Sequence, residues 1–99
     1  MTTVRLDLNN PTFQNQLFNL DQDDRERVVT TLKKVSKMTW DQVQRDNGIR
    51  RERILSKTGP QREPLYSIRL AREVRGVGYR ESEWLVLLTL HPDRTRASR

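Results

Sequence analysis

Cysteine is absent from this 99-residue chain, and histidine occurs once, at position 91. Without thiols the chain has neither a disulfide framework nor a thiolate metal site, and one imidazole is too few for a usual structural zinc site. Aromatic residues make up only 6% of the sequence, and no apolar run approaches the roughly 20 residues that span a bilayer. The opening MTTVRLDLNN does not have the pattern of a secretory leader, which predicts a cytoplasmic protein. We therefore expect no metal, no small-molecule cofactor and no membrane partner.

Charge, by contrast, is plentiful and unevenly placed. Residues 1–49 hold seven basic and seven acidic side chains, whereas residues 50–99 hold twelve basic and six acidic ones, so the net charge of +6 lies in the second half. Fifteen of the nineteen basic residues are arginine, whose planar fork of donors matches phosphate and stacks on bases. The composition favours a nucleic acid or another polyanion as a partner about as strongly as it favours a merely solvated basic surface.

Hydrophobic periodicity indicates helices in the first half of the chain. Apolar and polar residues alternate over 3–9, which predicts a short strand, and apolar residues recur at helical spacing over 11–20 and 22–37. Asn10 and Asp21 suit the N-caps of these two helices. Each helix has one apolar stripe, so we expect a helical hairpin laid on a sheet.

A third, short helix is predicted to follow the hairpin. Thr39 and Gln42 have the spacing of a capping box, and Asn47-Gly48 is expected to supply a left-handed exit from the helix. Trp40, in the first turn, is expected to pack in the core.

The second half of the chain has the pattern of strands separated by short turns. The segments IRRERIL, LYSIRLA, VRGVGYR and EWLVLLTLHP are the predicted strands, and strands joined by short turns form antiparallel sheets. We predict an α+β fold in which an antiparallel sheet of four to five strands packs against the N-terminal helical hairpin. Residues 1–99 are expected to form a single domain with a loosely held tail at about 93–99.

The two-residue period of a strand predicts which side chains share a face. The apolar set expected to face the helices in the last strand is Trp84, Val86, Leu88 and Leu90. The open face is predicted to hold Arg69, Arg75, Tyr79 and His91. Gly76 and Gly78, on the helix side, are expected to let a helix side chain approach the sheet. The reverse orientation of that strand, with Tyr79 in the core, is the alternative.

The stretch LYSIRLAREVRGVGYRESEWLVLLTLHPDR resembles the C-terminal sheet of the RelE/ParE superfamily of type II toxin–antitoxin toxins. It looks most like the RelE-type members with a Y-x-x-R-L, Y-R-x-x-x-Y and HPD pattern. The opening strand, the helical hairpin and MTWDQVQRDNGIRRERI fit the family in order, so that the resemblance covers nearly the whole chain. It implies a RelE-like fold and a cognate antitoxin as partner.

The resemblance also implies an activity. RelE-like members are mRNA interferases, metal-independent endoribonucleases that cleave mRNA in the ribosomal A site and block translation. ParE-like members instead inhibit DNA gyrase and catalyse nothing, which is the alternative here. A third possibility is a degenerate, non-toxic member that binds only its antitoxin or RNA.

The catalytic residues are predicted from the resemblance together with side-chain chemistry. Arg69 matches a basic strand position of the family, and Arg75 matches the arginine of the next strand. His91 falls where several members place a catalytic histidine or another functional side chain. Metal-free cleavage uses the RNA 2′-hydroxyl as nucleophile, so we expect the histidine to transfer a proton and the two arginines to clamp the phosphate. Glu52 and Asp93 are lower-ranked candidates for a second proton transfer, with salt bridges to neighbouring arginines as the alternative.

Further RNA contacts are expected around the rim of the open face. The predicted RNA-binding residues are Tyr79, Arg51, Arg53, Lys57, Arg94 and Arg96. Many RelE-type toxins end in an aromatic residue that helps to orient RNA, whereas this chain ends in DRTRASR. Stacking on RNA is therefore expected to come from Tyr79 or from the ribosome.

Overall fold

A computed structural model of the protein describes residues 2–92. The elements in chain order are β1 (Arg5–Asp7), α1 (Pro11–Phe18), α2 (Gln22–Val35), α3 (Trp40–Arg45), β2 (Glu52–Thr58), β3 (Pro64–Ala71), β4 (Val74–Glu81) and β5 (Trp84–Pro92). The predicted α+β class and the helical hairpin beside the sheet are confirmed. The described part of the chain has no helix that is long and apolar enough to span a membrane.

Side-chain caps fix where the helices begin. The carboxamide of Asn10 accepts hydrogen bonds from the first turn of α1, and the carboxylate of Asp21 accepts one from the first turn of α2. Thr39 and Gln42 form the predicted capping box of α3. These bonds satisfy backbone N–H groups that have no partner within a helix. The three helix starts that the sequence predicts are therefore confirmed.

The five strands form one open sheet in the order β1-β5-β4-β3-β2. The pairs β2–β3, β3–β4 and β4–β5 are antiparallel, as predicted, whereas β1 pairs parallel with β5. Parallel strands need a long crossover connection, and the chain between β1 and β5 supplies one that contains three helices and three strands. Strand β1 pairs only with Trp84–Val86. The backbone groups along the rest of this edge of β5 therefore have no partner on a neighbouring strand of the described structure.

A β-bulge at Leu88 determines which residues of β5 face the helices. Val77 pairs with Thr89 while Gly78 pairs with Leu87, so that Leu88 has no partner on β4. A bulge shifts the alternation of side chains by one residue. Leu85 and Leu87 before the bulge, and Leu90 after it, are therefore all buried in the core.

The bulge overturns part of the predicted face assignment. Trp84 and Val86 were expected to face the helices, but they lie on the face of Tyr79, and Trp84 is 42% exposed. The glycines also act differently from expectation. A Cβ atom at Gly76 would meet the side chain of Leu70, and one at Gly78 would overlap the backbone of Val86. The space that a Cβ atom would occupy at each glycine is therefore filled by a neighbouring strand and not by a helix side chain.

The core lies between the helices and one face of the sheet. Its buried members are Val4, Phe13, Val28, Leu32, Val35, Trp40, Val43, Ile49, Ile68, Leu70, Ala71, Val74, Leu85, Leu87 and Leu90. Trp40 is buried as predicted, and its indole N–H donates to the carbonyl of Glu83. The opposite face of the sheet, which holds Arg69, Arg75 and His91, is the candidate functional surface.

The turn between α3 and β2 departs from the predicted geometry. Gly48 does not adopt the left-handed region, whereas Arg50 does, with a φ of 48°. The carboxylate of Asp46 accepts the N–H groups of Gly48 and Ile49 and forms an ion pair with Lys34 at 3.2 Å. This carboxylate organises the turn, so glycine is not needed for the left-handed step.

Candidate functional site

Three of the predicted site residues lie in one row across the open face of the sheet. Arg69 on β3 pairs with Arg75 on β4, and Arg75 pairs with His91 on β5. Paired Cα atoms of antiparallel strands are about 4.5–5.5 Å apart, and paired side chains point to the same face. The register therefore brings the two arginines and the histidine together, as the sequence predicts.

The guanidinium of Arg75 is held over the neighbouring strand β3. Its Nε and Nη2 donate to the hydroxyl of Ser67 at 3.1 and 2.8 Å, and Nη2 also donates to the carbonyl oxygen of Arg50 at 3.1 Å. The carboxylate of Glu52 lies 3.6 Å from Nη2, so the predicted salt-bridge role of Glu52 is confirmed. Within residues 2–92 the Nη1 group has no partner, which leaves two donors for a ligand.

Arg69 occupies the edge of the same row. Its side chain makes no hydrogen bond or ion pair with the described residues, and it borders a cleft that it shares with Arg50, Arg51 and Glu52. The cleft opens to solvent beside the Arg75–Glu52 pair. A free guanidinium next to a held one is an arrangement that can bind a phosphate from two sides.

His91 is exposed at the other end of the row. Its Nε2 lies 2.8 Å from the hydroxyl of Thr89, a hydrogen bond whose donor depends on the tautomer of the imidazole. The bond fixes the orientation of the ring and leaves Nδ1 without a described partner. One ring nitrogen is thus free to exchange a proton with a bound substrate.

The predicted RNA contact of Tyr79 meets an unfavourable charge environment. Tyr79 is on the open face and half-buried. Burial is the largest cause that raises the pKa of its phenol, and the carboxylates of Glu63, Glu81 and Asp7 raise this pKa further. These carboxylates make this end of the face acidic, in contrast to the arginine row. The contact of Tyr79 with RNA stays a prediction.

Arg51 and Arg53 were predicted to contact RNA from the rim of the open face. Glu52 pairs with Ser67 on the open face, so the residues before and after it point to the opposite side of the sheet. There the guanidinium of Arg51 stacks over the ring of Tyr66, 4.2 Å from its centroid. Alternation thus directs these two side chains away from the face of Arg75, while Arg51 still borders the cleft beside Arg69. Their contact with RNA stays a prediction.

The remaining predicted residues lie farther from the row or outside the described range. Lys57 is exposed on β2, in a stretch where the pairing with β3 is irregular. Arg94 and Arg96, and the lower-ranked Asp93, lie outside the described residues 2–92.

Sequence reasoning missed the residues that hold the row in place. Ser67 and Thr89 lie on the predicted open face, but no role was predicted for either hydroxyl. The sequence did contain a signal for them. Ser67 lies two residues before Arg69 and Thr89 two residues before His91, and residues i and i+2 of a strand share a face. The carbonyl of Arg50 left no such signal because it acts through the backbone.

An exposed tryptophan lies on the open face, far from the row. Trp84 is at the opposite end of β5 from His91, and the guanidinium of Arg5 lies 5.9 Å from its ring centroid. Seven residue steps of a strand extend about 23 Å. Among residues 2–92 no group of three or more histidine, aspartate or glutamate side chains is arranged to bind a metal ion.

Comparisons with known proteins identify the fold. The chain is similar to a chain of the archaeal RelE–RelB complex from Pyrococcus horikoshii OT3, with a TM-score of 0.62, 16% sequence identity, and coverage of 93% of this chain and 94% of that one. It also matches a copper-bound mutant toxin from Helicobacter pylori, with a TM-score of 0.48, 18% identity, and coverage of 96% and 98%. No family model and no curated protein matches the sequence. The protein therefore has a RelE-like fold.

Proposed function

We propose that this protein is the toxin of a type II toxin–antitoxin pair and that it cleaves mRNA in the ribosomal A site without a metal ion. The observation that carries the proposal is the row formed by Arg69, Arg75 and His91 on the open face. The two cations can stabilise negative charge on the phosphate and the imidazole can transfer a proton, both of which RNA transesterification uses. The RelE-like fold supports the same conclusion.

The proposed reaction needs one bond made and one broken at phosphorus. The 2′-oxygen of the RNA attacks the adjacent phosphorus, the bond to the 5′-oxygen breaks, and the products are a 2′,3′-cyclic phosphate and a 5′-hydroxyl. His91 takes the proton from the 2′-hydroxyl, and the leaving 5′-oxygen takes a proton from water. Arg75 and Arg69 bind the phosphate oxygens, whose negative charge increases in the transition state.

The row supplies few catalytic groups: two cations and one group that can transfer a proton. Of the three side chains only His91 can both accept and donate a proton, and the guanidinium of Arg75 extends away from β5 toward Glu52. A phosphate of the RNA adjacent to the scissile one would replace Glu52 at Nη2 and occupy the open cleft beside Arg69. We infer that the ribosome orders the mRNA over this surface, since correct orientation of a substrate supplies much of a catalytic rate.

The partner of such a toxin is an antitoxin. The structurally similar archaeal RelE occurs in a complex with RelB, and the arginine row offers a surface for acidic side chains. A disordered acidic segment that folds on binding would neutralise the row and exclude RNA from it. We place the pair in the cytoplasm, where the ribosomes are.

One observation favours a non-catalytic alternative, a ParE-like inhibitor of DNA gyrase. The Nε and Nη2 groups of Arg75 are already occupied by Ser67, Arg50 and Glu52. An arginine held in this way can serve the fold alone. A gyrase inhibitor would not need Arg75 or His91 to reach a phosphate.

Induced expression of the full chain separates the two functions. The nuclease proposal expects growth arrest, with primer extension of cellular mRNA showing new cleavage sites and plasmid supercoiling unchanged. Gyrase inhibition expects loss of negative supercoiling and intact mRNA. Absence of both effects, with the protein present in the cells, would contradict both proposals and indicate a non-toxic member.

A further inference from the structure

A small cleft opens beside His91, on the side of the row that faces helix α1. It has a volume of about 240 Å³ and is lined by Gln16, Asn19, Leu20, Leu90 and His91. Pockets for drug-sized ligands measure roughly 300–1,000 Å³. This cleft therefore suits one small heterocycle, and any group bound at the imidazole has direct access to it.

The cleft exists because α1 covers the edge of β5 that β1 leaves free. Strand β1 pairs only with Trp84–Val86. Farther along β5, the side-chain oxygen Oε1 of Gln16 accepts the backbone N–H of Leu90 at 2.6 Å. This bond joins the last turns of α1 to the sheet next to His91 and so fixes the wall of the cleft.

The same bond fixes the chemical character of Gln16. Because Oε1 accepts from a backbone N–H, the amide cannot be flipped, and its Nε2 is left as a donor of hydrogen bonds. No partner of Nε2 occurs among residues 2–92, and the exposed side chain of Asn19 has none there either. The half-buried Leu20 supplies apolar contact surface, whereas Leu90 is only 3% exposed. The cleft thus combines a fixed donor, an adaptable amide and a small apolar wall.

We propose that this cleft binds the nucleobase next to the scissile phosphate and selects which nucleotide is cut. The inference rests on the proposed function, because His91 must lie at the phosphodiester. Every nucleobase has flat faces for apolar contact and an edge with at least one acceptor. The donor of Gln16 favours bases that direct an acceptor toward it, and Asn19 adapts to the neighbouring position on the base edge.

A Gln16→Glu variant tests the role of the donor. A carboxylate still accepts the N–H of Leu90 through one oxygen, but its other oxygen accepts where the amide donated. The preference should shift toward bases that direct a donor at this position, by about two- to tenfold, the effect of one hydrogen bond. Asn15→Asp is the matched control. Asn15 is exposed on the same helix, and its substitution by aspartate adds the same negative charge.

The binding experiment uses the full chain and the four nucleoside 3′-monophosphates, followed by NMR. We expect each nucleotide to shift the side-chain amide signals of Gln16 and Asn19 as well as the His91 imidazole signal. Inorganic phosphate should shift only the arginine and imidazole signals. The order of the four affinities should change in Gln16→Glu and remain as in the wild type in Asn15→Asp.

Several results would overturn the cleft proposal. The first is that the nucleotides shift the side-chain amide signals of Gln16 and Asn19 no more than inorganic phosphate does. The second is that no nucleotide binds. The third is that Gln16→Glu keeps the wild-type order of the four affinities. If Gln16→Glu fails to fold, Asn19→Ala replaces it, because the Asn19 side chain is exposed and loss of its amide should flatten the preference. Nucleotides that bind at Arg75 without an amide response would reject the cleft and leave the nuclease proposal standing. Loss of RNA cleavage in His91→Ala tests the nuclease proposal alone.

Discussion

Arg75 and His91 are direct partners on the adjacent strands β4 and β5, yet the guanidinium of Arg75 extends over β3, away from the imidazole. The hydroxyl of Ser67 is the contact that holds it there. In the described structure the row therefore contains one arginine that is fixed by the protein and one, Arg69, that is free.

Ser67→Ala should release the guanidinium of Arg75. The variant loses hydrogen bonds of 2.8 and 3.1 Å to Arg75, which should lower the free energy of unfolding by about 1–2 kcal/mol. A misplaced cation should reduce the RNA cleavage rate by roughly ten- to a hundredfold. Thermal unfolding and single-turnover cleavage measure the two effects. Ser56→Ala, on the exposed strand β2, is the control, and equal activity of the two variants would refute the role of Ser67.

Thr89→Val should impair the orientation of the His91 imidazole. The substitution keeps the size of the side chain and removes the hydroxyl that lies 2.8 Å from Nε2. We expect kcat to fall about tenfold or more with KM nearly unchanged, because the phosphate contacts of the arginines remain. Thr89→Ser should restore the rate, since it keeps the hydroxyl. A loss of activity in Thr89→Ser as large as that in Thr89→Val would show that the methyl group, not the hydrogen bond, matters.

Glu52→Gln distinguishes two roles for this carboxylate. If Glu52 only competes with the substrate for Arg75, its neutralisation should lower KM for RNA by up to about fivefold, because exposed ion pairs contribute about 0–1 kcal/mol. If Glu52 transfers a proton, kcat should fall instead. We expect the first result. Steady-state kinetics decide between them, with Glu81→Gln as a control that removes the same charge from the acidic end of the open face.

The pH dependence of stability should reveal the carboxylate that organises the 46–50 turn. The N–H of Ile49 is the largest cause that lowers the pKa of Asp46 below 3.8, with Lys34 and the N–H of Gly48 also lowering it and burial opposing. A carboxyl group with a lowered folded-state pKa stabilises the fold above its unfolded pKa and loses that contribution as pH falls through the folded value.

Acid unfolding of Asp46→Asn tests this assignment. Between pH 5 and the acid limit the variant should lose less stability than the wild type, and at neutral pH it should be the less stable of the two. Asp41→Asn, exposed on α3, is the control and should keep the wild-type profile. Parallel pH profiles for the wild type and Asp46→Asn would contradict the role of Asp46. Because this turn presents the Arg50 carbonyl to Arg75, RNA cleavage by the variant should fall as well.

The sequence predicts the layers of the fold and the main row of the site for identifiable reasons. Helix starts are local, so Asn10, Asp21 and the Thr39–Gln42 pair suffice to predict them. The shared face of Arg69, Arg75 and His91 follows from strand alternation and from turns of the expected length. Thr89 and His91 were correctly predicted to lie opposite the helices, although the argument for that strand was faulty.

The errors come from features that alternation does not encode. Nothing in EWLVLLTLHP indicates that Leu88 forms a bulge, because every apolar residue there fits either face. For the same reason Trp84 was expected in the core. Arg51 and Arg53 were predicted at the rim of the open face by composition, whereas the register of Glu52 with Ser67 directs their side chains to the other face. The bond from Gln16 to Leu90 joins residues that are far apart in sequence and follows only from the packing of α1.

The most direct test of the account is cleavage of an mRNA in the A site of programmed ribosomes, with the fragment ends identified. The wild type and Arg72→Ala, an exposed arginine in the β3–β4 turn, should release fragments with a 2′,3′-cyclic phosphate and a 5′-hydroxyl. Arg75→Ala and His91→Ala should fold normally and cleave at least about a hundredfold more slowly. Wild-type rates in both variants, or no cleavage by the wild type, would contradict the claim that this row cuts RNA.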